Sequence, residues 1–369
     1  MLLERRSISL LFLFVQAVFA AIEITSSPSE HTPSHFLVEN HLPIAEQTHE
    51  VVKIPGTDMV LISQMSNSVL LKAQVDEHGL VKNVKAFLVG NITSALHGLA
   101  TSAAYPGKVW LTLQKDNLLV LIDPKVGSID EAPQVEKEIV VPDPGRGPHY
   151  VGEYGSELWV SLQDSSHVLR INHADPSDYS IYKGRSRPIF VAKHPINEMF
   201  YTGEDDAASI MKIDPKSGST TQFDVPSSAG ERPVGMISGP EGIWFTLLGS
   251  YTQGTGTIGH IHADDTITYH KLTSPRGKDA ALLHLAFDLN RDNNHVLWLL
   301  SSSIINADAL DMIIKVTFDP TWKNILSEEV TVMPSQHSKA HRILITEKNI
   351  FATQLSTSEV LSFYTQETQ

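Results

Sequence analysis

Apolar residues in this chain fall into short runs separated by polar turns, and the runs recur in a fixed order. Seven times a large apolar or aromatic residue is followed by a second apolar residue and a hydroxyl. The copies are Leu61-Ile62-Ser63, Trp110-Leu111-Thr112, Trp159-Val160-Ser161, Phe200-Tyr201-Thr202, Trp244-Phe245-Thr246, Trp298-Leu299-Leu300 and Phe351-Ala352-Thr353, the sixth ending in Leu. Their third residues lie 49, 49, 41, 44, 54 and 53 positions apart. A further apolar run follows most copies, as in Leu118-Leu119-Val120-Leu121-Ile122 and Ile210-Met211-Lys212-Ile213, and ends on turn signals such as Asp123-Pro124, Asp214-Pro215 and Asp319-Pro320. Another short run precedes each aromatic, and no segment carries a helical period. Four short strands repeated every 40 to 55 residues predict an all-β, seven-bladed β-propeller with four antiparallel strands per blade.

The seventh copy ends at Val360-Leu361-Ser362-Phe363-Tyr364 and lacks a fourth strand. His35-Phe36-Leu37-Val38-Glu39 is expected to supply it, closing the ring and covering the last open edge. The trp-like positions Trp110, Trp159, Trp244 and Trp298 share one place in the repeat, which assigns them to packing between blades.

Composition changes the picture in three ways. Arg5-Arg6, an apolar run from Ile8 and the small residues around Ala20-Ala21 form a secretory signal peptide. Residues 1–20 are thus expected to be removed and residues 21–369 to form one domain, secreted or in the secretory-pathway lumen. The chain has no Cys, so no disulfide or thiolate supports it. Its 42 acidic residues against 28 Lys and Arg exclude the basic stripe of a nucleic-acid binder, and no later run is long enough to enter a membrane. A monomer with neither kind of partner is expected. Asn91-Ile92-Thr93 is an N-glycosylation sequon.

Aligning the first strand of each repeat places His49, His97, His149, Ile189, Val234, His284 and His341 at or near one position, His49 in the loosest register. With 17 His among 369 residues, five in seven is an excess that asks for a reason. In a propeller these side chains converge on the mouth of the central channel. Loops after the second strands add Gln114, Gln163, Glu204, Asp205 and Tyr251, and the long loop of the sixth repeat adds Ile304. Such a constellation suits general acid or base chemistry, or a borderline metal such as zinc, or a wet channel whose histidines bind water and carbonyls. Catalytic roles fall to His149, His284, His341 and His97, with Gln114, Gln163, Glu204, Tyr251 and Ile304 binding substrate. Arg276-Gly277-Lys278-Asp279, just before His284, is a candidate donor to a developing oxyanion.

The fifth repeat carries a resemblance. Arg232-Pro233-Val234-Gly235, Gly239-Pro240-Glu241-Gly242-Ile243-Trp244-Phe245-Thr246 and Gly256-Thr257-Ile258-Gly259-His260-Ile261 resemble the blade repeat of streptogramin B lyases, and Arg146-Gly147-Pro148-His149 and Arg187-Pro188 echo it. The resemblance implies a seven-bladed fold and a lyase or lactonase that opens a cyclic ester. In those lyases a metal-binding Glu follows the Trp-Phe-Thr triplet. The matching positions here are Gln64, Leu113, Leu162, Gly203, Leu247, Ser301 and Gln354, so none is a carboxylate. The Glu, Asp and Asn cage of gluconolactonase-type propellers is equally unassembled, and no metal and no cofactor is expected. In length, leader, lack of Cys and altered metal site the chain is also similar to fungal propellers that act as hetero-Diels–Alder cyclases on tropolone-type quinone methides and a sesquiterpene. That likeness implies a pericyclase of secondary metabolism taking an apolar small molecule. A non-catalytic propeller binding a glycan or protein is the alternative from another class.

Overall fold

The computed structural model describes residues 22–24, 35–288 and 295–365, so the expected leader lies outside the described residues. Seven antiparallel sheets follow one another around an axis. Their innermost strands are Thr48–Lys53, Leu96–Thr101, Pro148–Tyr154, Pro188–Lys193, Pro233–Gly239, Leu282–Phe287 and Ala340–Ile345, each touching the next, with the seventh returning to the first. The chain is therefore a seven-bladed β-propeller built as the repeat predicts. No helix of the described residues is long and apolar enough to cross a membrane.

Burial follows the sequence pattern blade by blade. Second strands such as Met59–Gln64 and Val296–Ser301 are buried along their whole length, since they are sandwiched between neighbouring blades. Outermost strands such as Val81–Leu88 are largely open to water, which is why their sequence mixes Lys and Asn with apolar residues. Trp110, Trp159, Trp244 and Trp298 are buried in the cores between blades. Trp159, for example, stacks on Phe200 of the next blade with ring centres 3.6 Å apart.

His35–His41 pairs antiparallel with Glu359–Thr365, so the N-terminal segment closes the seventh blade as expected. One strand is additional to the four-per-blade scheme. Ile22–Ile24 pairs with Ile325–Val332 and gives blade 6 a fifth strand.

The repeated hydroxyl fastens adjacent blades. Every innermost strand bulges near its start, where extra residues face the channel without a ladder partner. Thr112 Oγ1 accepts from the Gly98 N–H of its own bulge at 2.7 Å and donates to the His149 carbonyl of the next blade at 3.3 Å. Ser63 links Glu50 N–H to His97 O, Ser161 links Tyr150 N–H to Ile189 O, Thr246 links Gly235 N–H to Leu283 O, and Thr353 links Arg342 N–H to His49 O. Gly98 has to be glycine because a Cβ there would stand 2.6 Å from the His149 carbonyl oxygen. At blade 6, Leu300 has no hydroxyl, and the His284 ring instead accepts from the Ile343 N–H of blade 7 at 3.4 Å.

Candidate functional site

The bulges aim one side chain per blade at the channel mouth, and the register fixes which. In blade 3, Tyr150 pairs with Ser161, which leaves His149 as the bulged residue. In blade 6, His284 pairs with Leu300, the equivalent of Ser161, so Leu283 is the counterpart of His149 and His284 that of Tyr150. The ring is therefore His49, His97, His149, Ile189, Val234, Leu283 and His341, with four histidines instead of five. This corrects the placement of His284.

The correction sorts the ring into two arcs. His341, His49, His97 and His149 come from consecutive blades 7, 1, 2 and 3, with successive ring centres 3.7, 3.7 and 3.9 Å apart. Ile189, Val234 and Leu283 come from blades 4, 5 and 6. Over the apolar arc lies a cavity of about 220 Å³, with His149 and His341 from the two ends of the imidazole arc in its wall. Phe190, Leu248, Ile304 and Ile305 extend the apolar lining.

The rim of this cavity is charged. Arg232 donates to Asp205 at 3.0 Å and Asp206 at 2.8 Å, and its guanidinium lies 4.7 Å from the centre of the Tyr251 ring. Arg187, Gln163 and the 64 % exposed Tyr251 complete the lining. Burial pushes the Asp205 carboxyl up, against the pull of Arg232.

Burial also decides the state of the imidazoles. It pulls His341 down to about 4, and burial with the nearby His341 pulls His97 to about 3. His49 and His149 are held well below the usual value, first by burial and then by their neighbouring rings. All four are neutral at pH 7, so they can donate one N–H or accept a proton but carry no acidic proton to deliver.

Of the expected site residues, His149, His341, Gln163, Tyr251 and Ile304 line the cavity. His97 sits inside the imidazole arc, its Nδ1 3.0 Å from the His149 carbonyl. Gln114 lies behind the wall and donates to Gln163 at 3.3 Å. Glu204 does not line the cavity. Its fully buried carboxylate accepts from the Ser209 hydroxyl and, at 2.6 Å, from the Arg185 N–H, while its neighbours Asp205 and Asp206 reach the rim. Arg276 and Asp279 line a separate outer hollow between the loops of blades 5 and 6, whereas the arginines that line the cavity are Arg187 and Arg232. Both precede an innermost strand as Arg-Pro, a pattern that marks the channel mouth.

His284 faces a second chamber of about 190 Å³, also lined by Glu50, Tyr150, Phe190 and Arg342. Glu50 and Arg342 form a buried bidentate ion pair, and the guanidinium stacks 4.2 Å from the centre of Phe190. Phe190 lines both chambers and so stands between them. Among the described residues one group of three or more His, Asp or Glu brings its ligand atoms within 4.8 Å of one another, namely His49, His97 and His149.

No family model matches the sequence, and no curated protein matches it either. Solved structures do match its fold. A selenomethionine-substituted virginiamycin B lyase from Staphylococcus aureus superposes with a TM-score of 0.68 at 18% identity, covering 90% of this chain and 99% of that one. A catalytically inactive histidine-to-alanine variant of that lyase with quinupristin gives 0.69 at 18% over 90% and 99%. A streptogramin B lyase gives 0.67 at 17% over 90% and 98%. The fold is thus that of the streptogramin B lyase-like seven-bladed propellers.

Proposed function

We propose that this chain is an enzyme acting on a largely apolar small molecule at the channel mouth, most concretely a hetero-Diels–Alder cyclase of secondary metabolism. The observation that carries the reading is the division of the channel ring into an arc of neutral imidazoles and an arc of aliphatic side chains. Ile189, Val234, Leu283, Ile304 and Ile305 offer a dry wall against which a diene and an alkene can be held in near-attack geometry. His149 and His341, buried and neutral, donate a hydrogen bond to the heteroatom of the diene, and that polarisation lowers the barrier without a proton changing hands. Arg187, Gln163 and Tyr251 offer hydrogen-bond donors to a polar oxygen at the rim, where Asp205 and Asp206 already hold Arg232.

A second reading has its own support. A neutral buried imidazole is also a competent base, and the lyases that share the fold include one inactivated by loss of a histidine. Under this reading His341 or His149 removes a proton beside a cyclic ester and the ring opens by elimination. Export, with a glycan on the exposed turn at Asn91, belongs to the same proposal.

The test is incubation of the purified chain with a tropolone-type quinone methide precursor and a sesquiterpene alkene. A single stereoisomeric adduct, formed faster than in buffer and lost on His149→Ala and His341→Ala, supports the cyclase. The isomer mixture and rate of the uncatalysed reaction would overturn it. Ring opening of quinupristin in a parallel assay decides for the lyase.

A further inference from the structure

We infer that His49, His97 and His149 form a three-histidine site for a borderline divalent transition ion, with zinc as the reference, whose open fourth position faces the apolar cavity. The inference goes beyond the cyclase or lyase reading, since the site is defined by the ligands alone, and it departs from the metal-free site that the sequence suggests.

Three observations carry it. The ligand atoms of these side chains already lie within 4.8 Å of one another. A tetrahedral ion with bonds of about 2.0–2.1 Å sets its ligands about 3.4 Å apart, so the group has to close by at most about 1.4 Å, within reach of side-chain rotation. Secondly, the Nδ1 atoms of His49 and His149, like that of His341 beside them, are buried with no hydrogen-bond partner, a state that costs free energy and that a bound ion would relieve. Thirdly, the Nδ1 of His97 lies 3.0 Å from the His149 carbonyl, the backbone contact that fixes the tautomer of a ligating imidazole and leaves Nε2 with its lone pair.

The donor set selects the class of ion. Imidazoles without a carboxylate or thiolate suit zinc, nickel, cobalt or copper, and disfavour magnesium and calcium, which need oxygen ligands. Glu50 is committed to Arg342 and brings no charge to the ion. A site of three neutral ligands leaves the ion's charge intact, which favours an anionic fourth ligand, such as hydroxide or an enolate or phenolate oxygen of the substrate, over neutral water. His341 stays outside the three-ligand group and keeps the hydrogen-bonding role proposed above, while the ion takes the place of His149 in polarising the substrate oxygen.

The experiment uses the full untagged chain, stripped with a chelator and titrated with Zn²⁺ by calorimetry and with Co²⁺ by visible absorption. One equivalent of each is expected, with Co²⁺ showing the intense bands of a tetrahedral site. His97→Ala should weaken Zn²⁺ binding by more than the ~10–100-fold that loss of an outer-shell partner costs. His284→Ala should leave it unchanged. Should His97→Ala fail to fold, X-ray absorption on the zinc-loaded wild type counts the imidazoles directly, and three are expected. Absence of binding to Zn²⁺ and Co²⁺ at 100-fold excess, unaltered affinity in His97→Ala, or fewer than three imidazoles at the bound zinc would each overturn the inference.

Discussion

Arg342 and Glu50 show how single residues set the character of the channel. Both are buried, burial works against the charge of Arg342, and each is the other's counter-charge in a bidentate contact. Removing one partner strands a charge in a medium that cannot solvate it. Arg342→Ala should therefore destabilise the protein by about 3–5 kcal/mol in urea unfolding, whereas Arg342→Met with Glu50→Gln should recover most of that loss. A loss below about 1 kcal/mol for Arg342→Ala would mean that water reaches Glu50. Neither residue stood out in the sequence, because a charge beside a channel-facing histidine looks like any solvated strand residue until the ring closes around it. The imidazole arc was more legible, since His97, His149 and His341 recur at one repeat position. His284 was misplaced because the hairpin between first and second strands varies in length, so counting back from Trp298 does not reveal how many residues the bulge absorbs. Glu204 ends its strand with its side chain in the interior, whereas Asp205 and Asp206 open the 3-10 turn that follows and line the cavity, a change of element that the acidic run does not reveal.

At the level of strands and blades, the hydroxyls of Ser63, Thr112, Ser161, Thr246 and Thr353 each tie one blade to the next and help to fix the register of the ring. Thr112→Val removes the acceptor for the buried Gly98 N–H and the donor to the His149 carbonyl while keeping the shape. The expected cost is about 1–3 kcal/mol, with Thr112→Ser close to wild type, read from chemical unfolding. Equal stability of the valine and serine variants would show that the link contributes nothing. The closing strand makes a sharper contrast. His35–His41 pairs over seven residues, buries Leu37 and Val38, and lends Glu39 to Ser335 and Gln354. Its deletion with residues 21–40 should abolish cooperative unfolding. Deleting only residues 21–30 removes the three-residue edge strand of blade 6 and should shift Tm by no more than about 4 °C. The sequence revealed the first strand by the apolar run Phe36-Leu37-Val38 and the place left open in the seventh repeat, and hid the second, because three residues hold no period to recognise.

The whole molecule gathers histidines from distant parts of the chain into one poorly hydrated channel, and that gives it a pH dependence that no single blade would have. Folding lowers His97 and His284 to about 3 and His341 to about 4, in each case chiefly through burial. An unfolded chain protonates the same residues near pH 6.5, so between that value and about 4 the unfolded state binds more protons and stability rises with pH. Each histidine contributes about 1.4 kcal/mol per pH unit across that window, and the three together about 4 kcal/mol per unit. The contribution is complete above pH 6.5 and drains away as the pH falls towards the folded values. Unfolding free energies of chelator-treated protein in urea should accordingly be constant from pH 7 to 8 and fall steeply between pH 6 and 5, with His284→Gln lowering the slope by about 1.4 kcal/mol per pH unit. A flat profile down to pH 5 would mean that the channel admits enough water to charge its imidazoles. The dry, neutral arc on which both the cyclase reading and the metal site depend would then not exist.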